Sequence, residues 1–221
     1  NKCNLDINKI ILKNFSDGIE IINRYKDDTF IKIQIGKDEI TLLFFFESSF
    51  CFSQKFNFGS NMILKDISKV CSLEISTVKK IISDSSFKIS DKNLNVDRKY
   101  FDKDNFRKIS LKHIIEISSA RIEEITDIIF NKNKSLSELI DKEVSLYLDF
   151  EDKNISYKFQ NIFKNNLKKC KLNFLTDKDE DPFVSIKIFG QLLSKGWAKE
   201  AIPVVNKKRS LISRLFSGLF D

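Results

Sequence analysis

Residues whose side chains could perform chemistry are few in this 221-residue chain, and their spacing does not indicate an active site. His113 is the single histidine, and it has no cysteine or carboxylate at the spacing of a metal site or a catalytic triad. No two cysteines form a CxxC pair, which favours a reduced compartment; they are Cys3, Cys51, Cys71 and Cys170. We therefore predict no catalytic residue and no bound metal.

Two turns that contain glycine could bind an anion. Gly36 follows a strand pattern at residues 31–35, and Gly59 precedes a helix pattern. Glycine suits phosphate loops because backbone N–H groups can approach the phosphates with no Cβ in the way. However, Asp38 and Glu39 follow Gly36 closely, and these two carboxylates would repel a polyphosphate. The alternative is that both glycines are ordinary turn residues.

The last residues of the sequence have the pattern of a helix that lies on a membrane surface. Six large apolar residues share one helical face at the spacing i, i+1, i+4, i+5, i+8 and i+9; they are Leu211, Ile212, Leu215, Phe216, Leu219 and Phe220. The basic residues beside this face are Lys207, Lys208, Arg209 and Arg214. We therefore predict weak, reversible binding to an anionic membrane surface, which self-association would strengthen. The alternative is a terminal helix that packs on the protein's own core.

The formal net charge of +7 suits a partner that is nucleic acid or anionic lipid. Lysine and arginine are spread along the chain, and no recognised nucleic-acid-binding motif is present. We expect no nucleic-acid partner, and a basic nucleic-acid-binding module remains an alternative. The longest apolar run, residues 42–46, is far shorter than the roughly 20 residues that a membrane-spanning helix needs.

Apolar periodicity defines the elements that must position these residues. Strand patterns occur at residues 31–35, 40–46, 50–58, 144–150 and 171–175. Helix patterns occur at residues 62–70, 75–82, 110–130, 136–142, 155–167, 182–193 and 210–220. The first strand alternates as a half-buried strand does, the second reads as buried on both faces, and Ser110 suits a helix N-cap. The order of strands and helices predicts an α/β sheet with covering helices.

Four stretches, in their order along the chain, resemble the FtsA family of bacterial actin-like cell-division proteins. Residues 30–36 resemble its second phosphate-binding strand, and residues 58–67 resemble its Val-Gly-Gly stretch before a helix with Asp-Ile. Residues 114–125 resemble a helix with Arg-x-x-Glu at its middle, and residues 196–203 resemble the start of its terminal tail. This resemblance, which covers nearly the whole chain, implies the second lobe of the actin/Hsp70-like ATPase fold, with an inserted small subdomain and a C-terminal amphipathic helix.

The resemblance also implies a division of the chain. It assigns residues 1–28 to the tail end of the first lobe, 29–71 and 143–195 to the core of the second lobe, 72–142 to the inserted subdomain, 196–209 to a linker, and 210–221 to a membrane-targeting helix. The first lobe is expected to lie upstream of residue 1.

The nucleotide site that the family uses is altered in this chain. The resemblance places Gly36, Gly59 and Asp66 at a degenerate ATP site, but Gln34 replaces the aspartate that helps to hold the metal. Residues 148–152 stand where the family has Thr-Gly-Gly, with a phenylalanine and acids in place of the glycines. We expect no cofactor in this chain, and ATP with Mg²⁺ only in a protein that also has the first lobe.

The family resemblance implies a partner as well. Arg121 and Glu124 match residues of a helix that helps to bind the C-terminal tail of FtsZ, the tubulin-like partner. The alternative is a solvated ion pair on a helix. The sequence thus predicts a non-catalytic cell-division protein, peripheral on the cytoplasmic face of the inner membrane, that tethers FtsZ there. An actin-like protein that binds ATP with its missing first lobe is the alternative.

Overall fold

The centre of the structure is a mixed sheet of five strands in the order β3-β2-β1-β4-β5. The computed structural model describes residues 12–84, 94–102, 104–133, 136, 144–167, 171–175 and 183–196. The strands are β1 (Phe30–Ile35), β2 (Ile40–Phe46), β3 (Ser49–Phe56), β4 (Ser145–Phe150) and β5 (Lys171–Phe174). The first three form an antiparallel meander, and β4 and β5 run parallel to β1. All five strands predicted from the sequence are therefore confirmed.

Six α-helices surround the sheet in the described part of the chain. They are α1 (Lys13–Tyr25), α2 (Asn61–Cys71), α3 (Ile75–Ser83), α4 (Leu111–Thr126), α5 (Lys153–Asn166) and α6 (Val184–Lys195). A π-helical turn, Asp127–Asn131, continues α4. Ser110 caps α4 as predicted, since its Oγ accepts a hydrogen bond from the N–H of His113 at 3.2 Å. Asp152 caps α5 in the same way.

One face of the sheet packs against a layer formed by α2, α3, α4 and α5. Ile31, Ile33 and Ile35 point to this face because successive side chains of a strand alternate. A single hydrophobic core joins these residues to Ile81 of α3 and Ile122 of α4. Residues 72–142, which we expected to form an inserted subdomain, therefore contribute two helices to the main core. Their apolar stripes face the same layer as α2, so they have no separate core of their own in the described residues.

The other face of the sheet is covered by α1. Ile21 of this helix packs with Phe30, Leu43, Phe45 and Tyr147, which lie on the three central strands. Residues 13–25 thus form part of the layer over this sheet, although we had assigned residues 1–28 to the tail end of the first lobe. The prediction of a half-buried β1 is wrong for the same reason: α1 buries the face that carries its polar residues.

Gly18 allows α1 to approach β2 very closely. A Cβ at this position would lie 1.9 Å from the Phe45 ring. That ring cannot move aside readily, because it stacks on Phe30 at 5.0 Å between centroids and contacts Phe15 and Phe50 as well. The small residue is therefore required for space.

Replacement of Gly18 by alanine is expected to lower the free energy of unfolding by about 1–3 kcal/mol, since the added methyl group overpacks this contact. Urea unfolding followed by circular dichroism measures the change. Gly190→Ala is the matched control, because a Cβ at Gly190 of α6 would meet no heavy atom within 4 Å. That variant is expected to gain about 0.5–1 kcal/mol from helix propensity. If the urea midpoints of Gly18→Ala and Gly190→Ala shifted in the same direction, the close contact at Gly18 would be refuted.

Candidate functional site

The predicted anion-binding turn lies at a cleft beside the carboxyl ends of β1 and β4. The cleft has a volume of about 700 Å³, and its lining includes Gln34, the turn residues 36–39, Lys55 and Glu151. Lys13 and Asn14, from the first turn of α1, line it too. In open α/β sheets, ligands bind outside the carboxyl ends of strands, so this is the place where the fold itself predicts a site.

Backbone contacts between the β1–β2 turn and α2 close part of this site. The N–H of Ser60 donates to the Gly36 carbonyl and the N–H of Asn61 donates to the Lys37 carbonyl, each at 2.9 Å. The first N–H groups of a helix normally have no backbone partner and can bind an anion. At α2 these two donors are already used by the turn. A Cβ at Gly59 would lie 2.5 Å from the Gly36 carbonyl oxygen, so the contact needs glycine there.

The exposed backbone amide of Lys37, in the β1–β2 turn, is hydrogen-bonded to a carboxylate of the protein itself. Glu151, directly after β4, accepts a hydrogen bond from the Lys37 N–H at 3.1 Å through Oε2. Its Oε1 lies 3.2 Å from Lys37 Nζ. These bonds to the Lys37 side chain and backbone hold the pKa of Glu151 below its usual value. Glu151 therefore remains ionised at neutral pH and takes the position that an anionic ligand of this turn would need.

The acidic residues of the turn also have partners of their own. Asp38 Oδ1 accepts a hydrogen bond from Asn61 Nδ2 at 3.0 Å. Glu39 accepts two from Lys55 Nζ, at 3.0 and 3.2 Å. A polyphosphate at this turn would have to displace or face these carboxylates. The residues present therefore do not fit a triphosphate, and Gly36 and Gly59, which the structure does bring together, serve the backbone contact instead.

A buried ionic cluster lies on the α1 side of the sheet, and we did not predict it from the sequence. Lys32 of β1, whose side chain is 8% exposed, lies 3.6 Å from Asp17 of α1 and 3.4 Å from Asp149 of β4. Asp149 is also 3.7 Å from Lys153. The two carboxylates compensate the buried ammonium, which would otherwise be costly. The only sequence signal was a lysine inside a strongly apolar strand, and we interpreted it as solvent-facing.

Metal binding is not supported by the described residues, since no three of their His, Cys, Asp or Glu side chains are grouped closely enough to hold an ion. Gln34, which stands where the family has its metal-holding aspartate, pairs in register with Thr41 and Asp149.

Asp66 contacts Arg121 of α4, although we had assigned it to a degenerate ATP site. Its carboxylate accepts a hydrogen bond from Nε of Arg121, and Nη1 of the same guanidinium bonds to Glu124. The bond to Asp66 is the main reason why the pKa of Arg121 is raised above its usual value. Asp66, assigned to the ATP site, and Arg121 with Glu124, assigned to a partner site, thus form one cluster between α2 and α4. The Arg121 side chain is only 21% exposed.

The predicted membrane-binding residues lie outside the described part of the chain. They are Lys207, Lys208, Arg209, Leu211, Ile212, Arg214, Leu215, Phe216, Leu219 and Phe220. The predicted linker is outside it as well, except for Gly196. Within the described residues, no helix combines the length and the apolar character that crossing a bilayer would require.

Comparison with known proteins shows the fold. No protein-family model matches the chain, and no curated protein matches its sequence. The solved structure of MreB5 of Spiroplasma citri bound to AMPPNP superimposes with a TM-score of 0.55 at 15% identity, over 82% of this chain and 59% of that one. The ethanolamine utilization protein EutJ from Carboxydothermus hydrogenoformans gives 0.50 at 11% identity, over 76% and 50%.

The chain has the fold of one lobe of the actin-like ATPases. It spans 50–59% of the length of these two relatives, as a single lobe would. The predicted fold class is therefore confirmed. At these identities the likeness concerns the fold alone, and no comparison singles out FtsA.

The Arg121–Asp66 pair gives a direct test of whether this guanidinium stabilises the fold. Arg121→Met and Asp66→Asn are each expected to lower the free energy of unfolding, with a coupling of about 1–2 kcal/mol in a double-mutant cycle. Glu124→Gln is the control, and we expect it to cost less than about 0.5 kcal/mol because its carboxylate is exposed. Denaturant unfolding measures all five chains, which are the four of the cycle and the Glu124→Gln control. A coupling near zero would mean that Arg121 does not hold α2 to α4.

Proposed function

We propose that this chain is the second lobe of an actin-like adaptor that acts without nucleotide turnover and tethers FtsZ to the cytoplasmic face of the inner membrane. The self-occupied turn at the cleft supports the absence of nucleotide turnover, and the FtsZ and membrane roles rest on the family resemblance. The Lys37 N–H is bonded to Glu151, and the N–H groups of Ser60, directly before α2, and of Asn61, its first residue, are bonded to the carbonyls of residues 36 and 37.

The electrostatics of the cleft support a site without nucleotide. A phosphate beside ionised Glu151 would be repelled by its carboxylate, because like charges at close range disfavour one another. Lys37 and Lys55 offset part of this repulsion, but each is already paired with a carboxylate. We infer that the fold has been retained as a scaffold.

Nucleotide binding by the chain tests this proposal. In isothermal titration calorimetry with Mg-ATP, we expect a Kd no tighter than about 1 mM. Glu151→Ala removes the internal anion and frees the Lys37 N–H, so it is expected to improve anion binding measurably. Glu47→Gln, in the β2–β3 turn at the other end of the meander, is the matched control and should change nothing. A micromolar Kd for the unmodified chain would contradict the proposal.

Membrane attachment is assigned in this proposal to the apolar and basic residues 207–220. Six large apolar side chains at about 1 kcal/mol each give roughly 6 kcal/mol, and ordering so short a helix costs a large share of it. Each nearby lysine or arginine adds about 1 kcal/mol over anionic lipid. The result is weak, reversible binding that depends on salt.

Co-sedimentation with vesicles measures this attachment. The intact chain is expected to pellet with anionic vesicles and not with neutral ones, and a chain that ends at Asn206 is expected to stay in solution. Leu215→Glu combined with Phe216→Glu should reproduce the loss in the full chain, because it places charge on the apolar face. FtsZ should pellet only when the intact chain is present. If intact and shortened chains behave alike, the terminal residues are not the anchor.

The FtsZ contact is placed at Arg121 and Glu124 by the family resemblance. Since Asp66 and Glu124 already engage the guanidinium, a carboxylate of the FtsZ tail would have to exchange with one of them. Glu124 is the more exposed of the two acids, so the exchange would take place on its side.

The second candidate is an actin-like protein that binds ATP when its first lobe is present. Two observations favour it: the likeness of the fold to MreB5, which was solved with AMPPNP bound, and the cleft at the carboxyl ends of β1 and β4. Nucleotide affinity of the chain together with its first lobe separates the two candidates.

A further inference from the structure

A row of polar residues crosses four strands of the sheet at its cleft end. The strand register pairs Gln34 with Thr41 and with Asp149, and it pairs Thr41 with Lys55. Residues that face each other on neighbouring strands point to the same side of a sheet. That side is the α1 side, because Leu43, two residues after Thr41, packs in the aromatic core under α1. We name Lys55, Thr41, Gln34 and Asp149 the floor row.

The charges of the floor row are compensated within the protein. Lys55 Nζ lies 3.0 Å from Glu39 Oε1, and Asp149 Oδ2 lies 3.4 Å from Nζ of the buried Lys32. The two outer residues of the row therefore have partners, and the two inner residues determine what a ligand would meet there.

Thr41 is a buried polar residue whose hydroxyl group has no partner in the described part of the chain. The residue is only 6% exposed and lines the cleft, and its Oγ1 forms no hydrogen bond with a described residue. Gln34, directly opposite, also lines the cleft, and its amide is likewise without a partner among the described residues. Since nearly all buried polar groups are hydrogen-bonded, an unsatisfied hydroxyl at a cleft indicates a place for a ligand.

The start of α1, at the same cleft, adds unused donors and positive charge. Leu12, its N-cap residue, has no side chain that could accept a hydrogen bond, and its first turn carries no acidic residue. Within the described structure, the N–H groups of Lys13 and Asn14 have no partner, and the Lys13 ammonium has no carboxylate within ion-pair distance. The start of α2 differs, because the β1–β2 turn accepts its first donors.

The chemistry of the ligand follows from these groups. A helix start beside a lysine favours an anion, since N–H donors and partial positive charge meet there. The carboxylates of Glu39 and Glu151 line the same cleft, so they disfavour a ligand of high negative charge. Thr41 and Gln34 are neutral and can both donate and accept hydrogen bonds, which suits hydroxyl groups. The cleft volume, about 700 Å³, is within the usual range of small-molecule sites.

We propose that the α1 side of the cleft binds the monoanion of a small hydroxy acid. Its carboxylate binds at the start of α1 beside the Lys13 ammonium, and its hydroxyl groups bond to Thr41 and Gln34. The proposal rests on the proposed function in one respect, namely that the turn side of the cleft is closed to a polyphosphate. It uses none of the residues that close that turn.

Titration of the full chain with gluconate, followed by heteronuclear NMR, tests the proposal. Gluconate is the probe because it carries one carboxylate and several hydroxyl groups. We expect saturable shifts of the side-chain amide signals of Asn14 and Gln34, with a Kd below about 5 mM. Acetate, which lacks the hydroxyl groups, and glycerol, which lacks the charge, should each bind at least about ten-fold more weakly. Tighter binding of inorganic phosphate than of gluconate would overturn the proposal, because the site would then be selective for charge alone.

Thr41→Val separates a ligand site from a structural role. The change removes the hydroxyl group and keeps the shape of the side chain, so the gluconate Kd should rise about three- to ten-fold. Without gluconate, the midpoint of thermal unfolding should stay equal or rise, because this hydroxyl forms no bond to the described part of the fold. A lower midpoint with an unchanged Kd would overturn the proposal, since Thr41 would then serve the fold.

Lys13→Gln tests the position of the carboxylate and is expected to raise the gluconate Kd about five-fold or more. Lys26→Gln is the matched control, because Lys26 is exposed at the opposite end of the same helix. Equal losses of affinity in the two variants would reject the site at the start of α1, and so would the absence of any shift at up to about 50 mM gluconate.

A parallel titration with Mg-ATP separates this proposal from the proposed function. A micromolar Kd for Mg-ATP beside the expected gluconate binding would contradict the proposed function alone and support the hydroxy-acid site. Weak binding of both ligands would overturn the hydroxy-acid site alone.

Discussion

The arrangement of the cleft depends on the approach of Gly59 to the carbonyl groups of residues 36 and 37. Because no Cβ separates them, the first turn of α2 can donate two backbone hydrogen bonds to the β1–β2 turn. This contact fixes the helix to the hairpin and uses the donors that an anion would otherwise find there. Glu151, directly after β4, then accepts a hydrogen bond from the same turn. The β1–β2 turn, the start of α2 and the end of β4 thus satisfy one another's hydrogen bonds at the edge of the sheet where a ligand would bind.

The two sides of the sheet are built differently. On one side, α2 to α5 share a continuous apolar core, and the Arg121–Asp66 pair joins two of these helices near the surface. On the other side, the core under α1 is smaller and aromatic, and it adjoins the ionic cluster at Lys32. Apolar burial is non-directional, whereas a buried ion pair is satisfied in few geometries. The packing on the α1 side therefore permits fewer alternative arrangements than the packing on the other side of the sheet.

Local patterns in the sequence were sufficient for the five strands, for helices α2 to α6 and for the α/β class, but we did not predict the helix α1 from them. The continuous apolar run of β2 and the stripe of α4 each depend on neighbours within one element, and each is found as expected, whereas β1 is a strand as predicted but is buried on both faces. The non-local contacts were not predictable in this way. Asp17, Lys32 and Asp149 come from three distant segments, and nothing in their own surroundings shows that the fold brings them together. Asp66 was assigned to a degenerate ATP site from the family resemblance, and only the packing of α2 on α4 shows its actual partner.

The close contact at Gly18 has a mechanical consequence for α1. A helix that rests on a flat apolar surface can shift along its axis at little cost, but this one meets a rigid ring at a single position without a side chain. A slide of the helix along its axis would move the gap at Gly18 away from the Phe45 ring and would separate Asp17 from Lys32. The helix thus has one permitted register on the sheet. Its first turn, which carries Lys13 and Asn14, therefore keeps a constant position at the rim of the cleft.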